Sequence, residues 1–596
     1  MDLRQRYGMA LPSRLGMLVA SGGGDQNNGE QPPTHRVMSH HEPFRARRPQ
    51  VAAVGLLLAL SACSNNSELA AYSYTCGEAP PPEPTAPRCG AGDPLLPPEP
   101  TLPPTPTDPA CILKATRITP PDGQVLPEPL DPTEAQSVLD SARIAAALAA
   151  CPVVKLVTDG DKNAFLSSNI NVDSRILWID EGVTLFQSRN PALFQQTGNC
   201  GAIGVNDSSA CLEFITVQGT NPALMGRGII DGQGGEPLIG KNYSWWQASY
   251  ALRAIDGSIG QPNMINLKKG TKAFVLYGLT LHNSSKFHVK ITSSPIDGVG
   301  PGVCDSEPYG KGFIVWGITL LTPSKWFNSV GEQLTPSWAR NSDGVDPGTT
   351  DIAYCGVIAC NTISTGDDHI AIKGGHWVEN LTIAHNHFGT GHGMSIGSET
   401  YGSFSSPDGV VHRGIRNVHV YDLTIDADSR AVGAEAHGAD FNGIRIKSDE
   451  SRGGLVENIT YEDVCLRDSV NGILVSTAYN PLFAGMSYPD FRNLTFRNIR
   501  GVTCKALTPA VVTMEGFNAT LRPSITLDNV IFDNINPVQS VAAEFATFRL
   551  GPGDVNFTPH GRGVEIVSDT RNGSSTPKSC IFPKLPAPIA PPGWLH

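Results

Sequence analysis

The sequence has no run of 18 or more apolar residues, so no segment is long enough to cross a bilayer as a helix. Only 17% of its 596 residues are charged, and the 44 Lys and Arg are outnumbered by 56 Asp and Glu. The formal charge of −12 argues against nucleic-acid binding, which depends on many cations that neutralise phosphates. An anionic substrate would need cations concentrated at its own site. The 40% hydrophobic content is sufficient for a globular core.

An export signal is predicted at residues 38–63. Three arginines precede the apolar run 51–60, and small residues then lead to Cys63 in the pattern of a bacterial lipoprotein cleavage site. Cys63 is therefore either lipidated or part of an ordinary cleavage site. Residues 1–37 have no place in this signal, so we expect Met38 to be the native start; a cloning artefact would look the same.

Export also predicts paired cysteines, because twelve remain after Cys63 and the compartment is oxidising. We expect a bridge between Cys200 and Cys211, which flank a short polar loop, and leave the other pairings open. A zinc site at Cys355 and Cys360 is disfavoured, because no second ligand pair lies nearby.

The chain is predicted to contain one catalytic domain, at residues 111–560, between two proline-rich segments. Residues 64–110 include 13 prolines in positions 80–109, which is typical of a stiff, extended spacer, and residues 561–596 form a C-terminal tail. One amphipathic helix is expected over residues 133–150. Its apolar face is predicted to consist of Val138, Ala142, Ala145 and Ala149.

Short β-branched segments follow from about residue 170, and they carry a recurrent phrase of Asn, an apolar residue, Thr or His, and a second apolar residue. Its copies begin at Asn380, Asn417, Asn458 and Asn493. Such repetition predicts a solenoid, and short strands without intervening helices favour an all-β, right-handed parallel β-helix. The early helix would cap its open end. A propeller is the alternative, but it needs tight hairpins that are scarce here.

Acidic residues recur at the length of one coil. The intervals from Asp343 to Asp367 and from Asp367 to Gly391 are both 24 residues, so Asp343, the pair Asp367 and Asp368, and His392 should stack on adjacent coils about 5 Å apart. One further coil brings Arg445 and Lys447, whose i, i+2 spacing puts both cations on one face of a strand.

This set suits hydrolysis of a glycosidic bond in an acidic sugar. One protonated carboxyl donates to the leaving oxygen while a carboxylate activates water, and crowding raises the pKa of one acid. Arg445 and Lys447 would hold a substrate carboxylate. Each residue also has a plain structural interpretation, as a turn Asp, a core His or a solvated cation. Their coincidence on successive coils favours catalysis.

The motifs NSDGVD (341–346), GDD (366–368), GHGMSIGSE (391–399) and RIK (445–447) resemble the signatures of the polygalacturonases, a glycoside hydrolase family with a right-handed parallel β-helix. The likeness is greatest to bacterial endopolygalacturonases. It implies that Asp367 is the general acid, that Asp343 and Asp368 hold the water, and that His392 tunes the acid. It also implies that Arg445 and Lys447 bind the galacturonate carboxylate. Tyr479 matches a substrate-binding tyrosine, and Asn341 is included among the binding residues.

The leading hypothesis is therefore a secreted or cell-surface polygalacturonase, inverting and endo-acting, that cleaves de-esterified pectin as a monomer without cofactor or metal. An exo-acting polygalacturonase, a pectate lyase on the same fold and a non-catalytic sugar-binding β-helix are alternatives. A metal or nuclease site at His385 and His387 is disfavoured, because no third ligand has suitable spacing.

Overall fold

A computed structural model describes residues 89–589, except 204, 206, 208, 253–258, 293–311, 349–351, 376, 401–402, 406–410, 428–441, 480–487, 504–510, 534, 538, 574–575 and 587. The export signal, Cys63 and the residues expected to precede the native start lie outside this part. Among the described residues, no helix is long and apolar enough to span a membrane.

The described elements are three α-helices, two short 3₁₀ segments and 32 strands. The helices are α1 (Pro132–Val138), α2 (Ser141–Ala150) and α3 (Trp245–Leu252), and the 3₁₀ segments are Pro109–Cys111 and Pro191–Phe194. The first sixteen strands are β1 (Ile112–Lys114), β2 (Val153–Val157), β3 (Ala164–Ser167), β4 (Ile170–Asp173), β5 (Ile176–Ile179), β6 (Thr184–Gln187), β7 (Ile215–Gln218), β8 (Ala223–Gly226), β9 (Ile229–Asp231), β10 (Ile265–Leu267), β11 (Phe274–Tyr277), β12 (Thr280–His282), β13 (Val289–Ile291), β14 (Phe313–Trp316), β15 (Thr319–Leu321) and β16 (Val345–Pro347). The remaining strands are β17 (Ile352–Ala359), β18 (Thr362–Ser364), β19 (Ile370–Ile372), β20 (Trp377–Phe388), β21 (Met394–Ile396), β22 (Ser403–Ser405), β23 (Val411–Asp426), β24 (Asn442–Lys447), β25 (Gly454–Arg467), β26 (Asn471–Ser476), β27 (Pro489–Val502), β28 (Val511–Glu515), β29 (Ser524–Phe532), β30 (Val541–Glu544), β31 (Thr547–Leu550) and β32 (Glu565–Asp569).

The strands form a parallel β-helix, as predicted. An eleven-strand sheet runs β4-β7-β10-β13-β16-β19-β21-β24-β26-β28-β30, and each successive coil adds one strand to it. The other strands join a 21-strand sheet, in which neighbouring coils again pair in parallel. This parallel stacking is incompatible with the antiparallel blades of a propeller. Only β22 and β23 pair antiparallel among the described strands.

The recurrent asparagine phrase marks a bend that is repeated from coil to coil. Asn380, Asn417, Asn458 and Asn493 all have positive φ, between 50° and 58°. Asparagine tolerates this left-handed conformation better than most residues. The four amides also form a ladder, with Asn458 Nδ2 donating to Asn417 Oδ1 at 3.1 Å and Asn493 Nδ2 donating to Asn458 Oδ1 at 3.0 Å.

The core lies inside the coils, where one inward apolar residue stacks above another. In the eleven-strand sheet the pairing joins Val345 to Ile370 and Ile370 to Met394, and all three are fully buried. Complete burial of such a side chain contributes about 1.5–3 kcal/mol. Alternation along each strand turns the neighbouring residues outward, and these residues form the functional face.

The capping helix is confirmed, but its predicted form is wrong. The structure contains two helices, α1 and α2, separated at Leu139–Asp140, because the buried Asp140 carboxylate accepts hydrogen bonds from Leu166 N and Arg143 Nε, both at 2.7 Å. The predicted apolar face is exposed at Val138, Ala142, Ala145 and Ala149. The buried face consists of Ile144, Ala147 and Leu148.

The prediction of a free spacer is wrong for residues 89–110, here called the N-terminal strap. A disulfide joins Cys89 to Cys360, and Leu96 and Leu102 pack beside Trp316 on the outside of the β-helix. Proline-rich backbone has no need to stand in solvent when its apolar side chains can cover a sheet.

The C-terminal tail is also bound to the β-helix. Residues Glu565–Asp569 form β32, and the described part of residues 576–589, here called the C-terminal strap, is linked by the disulfide Cys465–Cys580. Backbone hydrogen bonds of 2.9 and 3.0 Å tie Ile589 to Ser324 and Trp326. The predicted bridge between Cys200 and Cys211 is confirmed.

Candidate active site

The candidate site lies on the outward face of β16, β19, β21 and β24. The register pairs Val345 with Ile370, Ile370 with Met394 and Met394 with Ile444. Because the first step spans 25 residues, Asp343 aligns with Asp368, and the expected alignment with Asp367 is wrong by one residue. The stacking itself is as predicted, and the second step of 24 residues aligns Asp368 with His392.

His392 is held in place by the glycines on both sides of it. Gly391 and Gly393 have φ values of 149° and 84°, which side chains other than glycine rarely adopt. A Cβ at Gly393 would lie 2.0 Å from the carbonyl oxygen of Gly443. The two glycines therefore let the chain turn closely against the next coil and present the imidazole outward.

Asp367 is bound on both carboxylate oxygens. Its Oδ1 lies 2.8 Å from His392 Nδ1 and 3.0 Å from the N–H of Asp368, and its Oδ2 accepts from the N–H of Asn341 at 3.0 Å. Burial raises the pKa of Asp367, but the charge and hydrogen bond of His392 outweigh this effect, so the pKa lies below its ordinary value. The pair of Asp367 and His392 can therefore hold one proton between them.

Asp368 binds the two predicted cations. Its Oδ1 accepts from Arg445 Nη2 at 2.5 Å and from Ser395 Oγ at 2.8 Å, and its Oδ2 accepts from Lys447 Nζ at 2.8 Å. Burial raises the pKa of Asp368, but Arg445 and Lys447 lower it further than burial raises it. Asp368 is thus ionised, and the cations expected to face a substrate carboxylate instead neutralise this aspartate when no substrate is bound.

The protonated carboxyls of the site are Asp343 and Asp346. Burial and the neighbouring Asp346 and Asp367 raise the pKa of Asp343 well above its ordinary value. The pKa of Asp346 rises to about 7, mainly through burial, although Lys373 opposes the shift. Crowding was expected to raise the pKa of one acid, and the structure locates this effect at Asp343 and Asp346.

Lys373 is a buried cation that the sequence analysis missed. Its Nζ lies 3.5 Å from Asp343 Oδ2 and 3.6 Å from Glu399 Oε2. The signal was present, because Lys373 follows the outward Ala371 by two residues, just as Lys447 follows Arg445. Asp346 was likewise within the quoted motif but was given no role.

Tyr479 lies at the margin of the site. Its N–H donates to Ser448 O at 2.9 Å, and its ring centre is 5.1 Å from Lys447 Nζ. The side chain is 41% exposed, so the ring remains accessible to a ligand. The structure therefore brings together Asn341, the three aspartates, His392, the two cations and this tyrosine.

Three of these groups could also coordinate a metal ion. One ligand atom each from Asp367, Asp368 and His392 lies within 4.8 Å of the others. However, Arg445 and Lys447 already compensate the charge of Asp368, and a metal would have to displace them. The donor set is better matched to proton transfer and binding of an anionic sugar.

Residues 181–540 match the family described as glycosyl hydrolases family 28. The chain belongs to this family. It is therefore a glycoside hydrolase, and its fold and motifs are those of its family.

Curated relatives and solved structures are consistent with this assignment. The chain is 35% identical to a polygalacturonase of Ralstonia nicotianae, covering 78% of this chain and 85% of the relative. It is 34% identical to an endo-polygalacturonase of Pectobacterium carotovorum, covering 69% and 89%. The solved polygalacturonase of Erwinia carotovora is 30% identical, with a TM-score of 0.52 over 69% of this chain and 98% of that chain.

Proposed function

We propose that this family 28 hydrolase is a polygalacturonase that cleaves α-1,4-galacturonosidic bonds inside de-esterified pectin. The observation that carries the proposal is the buried set of Asp367, Asp368, His392, Arg445 and Lys447, which combines acid–base groups with cations for a sugar carboxylate. The curated polygalacturonases that cover most of this chain support the same substrate. The Pectobacterium relative supports endo action.

The general acid is Asp367, acting with His392. The pair holds one proton across the 2.8 Å contact, and Asp367 delivers it to the oxygen of the departing sugar. The C1–O bond breaks as this oxygen gains the proton, and the leaving sugar departs with a free hydroxyl. His392 keeps the proton at the site without contacting the sugar, so it is a positioning residue.

The water is held by Asp343 and Asp368. Asp368 is ionised in the unliganded protein, but its basicity is suppressed by Arg445 and Lys447. A galacturonate carboxylate competes with Asp368 for these two cations, because both are charge-assisted acceptors. Binding of the sugar thereby frees Asp368 to take a proton from water, so the base becomes active only when a free carboxylate occupies the site.

Inversion is proposed because two carboxylates besides the acid are available to orient one water, whereas a retaining enzyme needs a single nucleophile. The first reducing end formed should then have the β configuration, opposite to the α-linked substrate. Proton NMR in the first minutes of hydrolysis distinguishes the two outcomes. An α product before mutarotation would show a covalent intermediate and would reassign Asp343 or Asp368 as its nucleophile.

The function is tested by incubating the purified protein with polygalacturonate. New reducing ends without ultraviolet absorbance of an unsaturated product are expected for a hydrolase. Reducing ends with that absorbance would identify a lyase, and neither signal would identify a sugar-binding protein. A rapid fall in viscosity with mixed early oligomers is expected for endo action, whereas release of single sugars or dimers would show exo action.

Secretion, or anchoring at the cell surface through Cys63, is part of the proposal. The disulfides of the described domain support an oxidising compartment. Because the N-terminal strap is bound to the β-helix, only residues 64–88 remain as a tether, of roughly 75 Å at about 3 Å per residue. Cys63→Ser should release an anchored protein into the medium; wild-type protein found wholly in the medium would show plain secretion.

A further inference from the structure

Two lysines lie on the site's outward face, on the coil that precedes the aspartates. In the eleven-strand sheet β13 pairs with β16, and the register places Lys290 beside Asp346. Neighbouring parallel strands are about 4.8 Å apart, so Lys290 continues the outward row that passes through Ser395 to Arg445. Lys286 lies in the turn that leads into β13.

The positions of these lysines mirror that of the predicted cation pair. The central strand is β19, which directly follows Asp367 and Asp368. β24, with Arg445 and Lys447, is two strands away on one side, and β13 is two strands away on the other. Each distance is roughly 10 Å along the β-helix. A polymer that runs across the coils would meet cations on both sides of the acids.

The charge of Lys286 and Lys290 is not used within the described structure. Arg445, Lys447 and Lys373 each pair with an aspartate, whereas no carboxylate of the described residues lies within 4.0 Å of the Lys286 or Lys290 nitrogen. Their acidic neighbour Glu213 already accepts from amides. Its bonds are with Asn263 N at 2.7 Å, Asn263 Nδ2 at 2.8 Å and Asn266 Nδ2 at 3.0 Å.

An aromatic ring completes this part of the face. Phe287 precedes Val289 by two residues as Asp343 precedes Val345, so it takes the place on its coil that Asp343 takes on the next. Its ring centre lies 5.3 Å from Lys286 Nζ and 5.9 Å from Lys373 Nζ. The ring offers an apolar surface beside cations, which suits a sugar that carries a carboxylate.

We infer that Lys286 and Lys290 form a second carboxylate-binding subsite, which holds a galacturonate across the scissile bond from the one bound by Arg445 and Lys447. The inference rests on the proposed polygalacturonase function. It means that the enzyme checks for a free carboxylate on both sides of the bond that it cuts. A methyl ester on either side would then weaken binding.

The test compares Lys286→Gln, Lys290→Gln and the double variant with Lys162→Gln, an exposed lysine outside the site. Each single change should lower kcat/KM on polygalacturonate about 5- to 10-fold through KM, with kcat nearly unchanged, because a charge-assisted contact is lost. The loss should be smaller on a partly methyl-esterified polymer. The control should match the wild type, and an unchanged KM in the double variant would overturn the inference.

The side of the bond is tested with end-labelled oligogalacturonates. The lysine variants and Arg445→Gln weaken opposite ends of the bound chain, so they should shift the preferred cleavage position in opposite directions. A shift in the same direction would overturn the assignment. If the wild type does not cleave polygalacturonate at all, the proposed function fails by itself. The subsite is then judged by calorimetry with the same oligomers, which the double variant must bind more weakly.

A second readout uses pH. Burial and the adjacent Lys290 lower the pKa of Lys286 to about 8, although Glu213 and Asp343 partly oppose the shift. Because the neutral amine no longer attracts a carboxylate, kcat/KM should fall as pH rises through about 8. Lys286→Arg should restore it at pH 9, since a guanidinium stays charged. The same fall in Lys286→Gln would show that Lys286 is not its origin.

Discussion

His392 Nδ1 lies 2.8 Å from Asp367 Oδ1, and this contact joins two successive coils. Neither residue is placed by its neighbours in sequence, because each lies in a turn before a strand and meets the other only through the parallel register. The proton needed for bond cleavage is therefore held between coils. Any change that slips one coil against the next would separate the acid from its partner.

The three aspartates are the first test of the site. Asp343→Asn, Asp367→Asn and Asp368→Asn should each lower turnover on polygalacturonate by at least about 100-fold, because general acid or base catalysis contributes about 10²- to 10⁴-fold. Circular dichroism should show an unchanged fold. Asp161→Asn, at an exposed position, is the matched control. A variant with wild-type turnover would remove that aspartate from the catalytic set.

Asp346 predicts a pH-dependent gain in stability. Its folded pKa of about 7 exceeds the ordinary 3.8, so the folded state favours the protonated form, and stability is lost as pH rises from about 4 through 7. Asp346→Asn imitates the protonated group and should raise the melting temperature at pH 8, where the cost is on the order of 4 kcal/mol. The gain should largely vanish at pH 4. A variant that melts below the wild type at pH 8 would contradict this account.

The asparagine ladder can be tested at Asn458, which is exposed and has φ of 56°. Asn458→Ala should destabilise the β-helix by about 1–2 kcal/mol, because alanine is strained in the left-handed conformation. Asn458→Gly keeps the conformation and loses only the amide hydrogen bonds. The melting temperature should therefore fall more for alanine than for glycine; equal losses would assign the whole effect to the side-chain ladder.

The N-terminal strap should be held more tightly at low pH. His385 lies 2.9 Å from Asp93 Oδ2 and 2.6 Å from Asp422 Oδ2, and Tyr421 also donates to Asp93. Hydrogen bonding to Asp422 raises the pKa of His385, so this stabilisation is complete below about pH 6.5 and is lost as pH rises through the raised pKa. In Cys89→Ser protein, a protease should cut the strap faster at pH 8.5 than at pH 5.5.

The control for the strap is His385→Gln in the same Cys89→Ser background. It removes the titrating group, so the cleavage rates at the two pH values should become similar once the pH dependence of the protease is corrected with an unfolded substrate. Lys578 and His387 also act on Asp422, and they are unchanged in both proteins. A persistent difference would place the pH sensitivity elsewhere.

The fold was predictable because the repeat carries its own geometry. Asn380, Asn417, Asn458 and Asn493 recur where the backbone needs a left-handed residue, and this local requirement is visible in sequence. The break between α1 and α2 was not predictable, because it depends on bonds from Asp140 to Leu166 and Arg143. Such tertiary contacts leave no periodic signal.

The site was predictable in membership and less so in charge. Equal intervals of 24 residues grouped Asp343, Asp367 and His392, but the true step of 25 from Asp343 to Asp368 depends on how the turn before β19 is packed. The sequence also could not show that the cations pair with Asp368 when no sugar is bound. That choice depends on distances between side chains from coils that are far apart in sequence.

The two straps change how the β-helix can come apart. A solenoid whose repeats contact only their neighbours can fray from either end. Here the Cys89–Cys360 bridge links positions 271 residues apart, and Cys465–Cys580 returns the last segment to an earlier coil. Closing such long loops restricts the unfolded chain. The ends therefore cannot peel away one coil at a time, and the domain behaves as a bound sheaf whose middle and margins must loosen together, which favours endurance among proteases outside the cell.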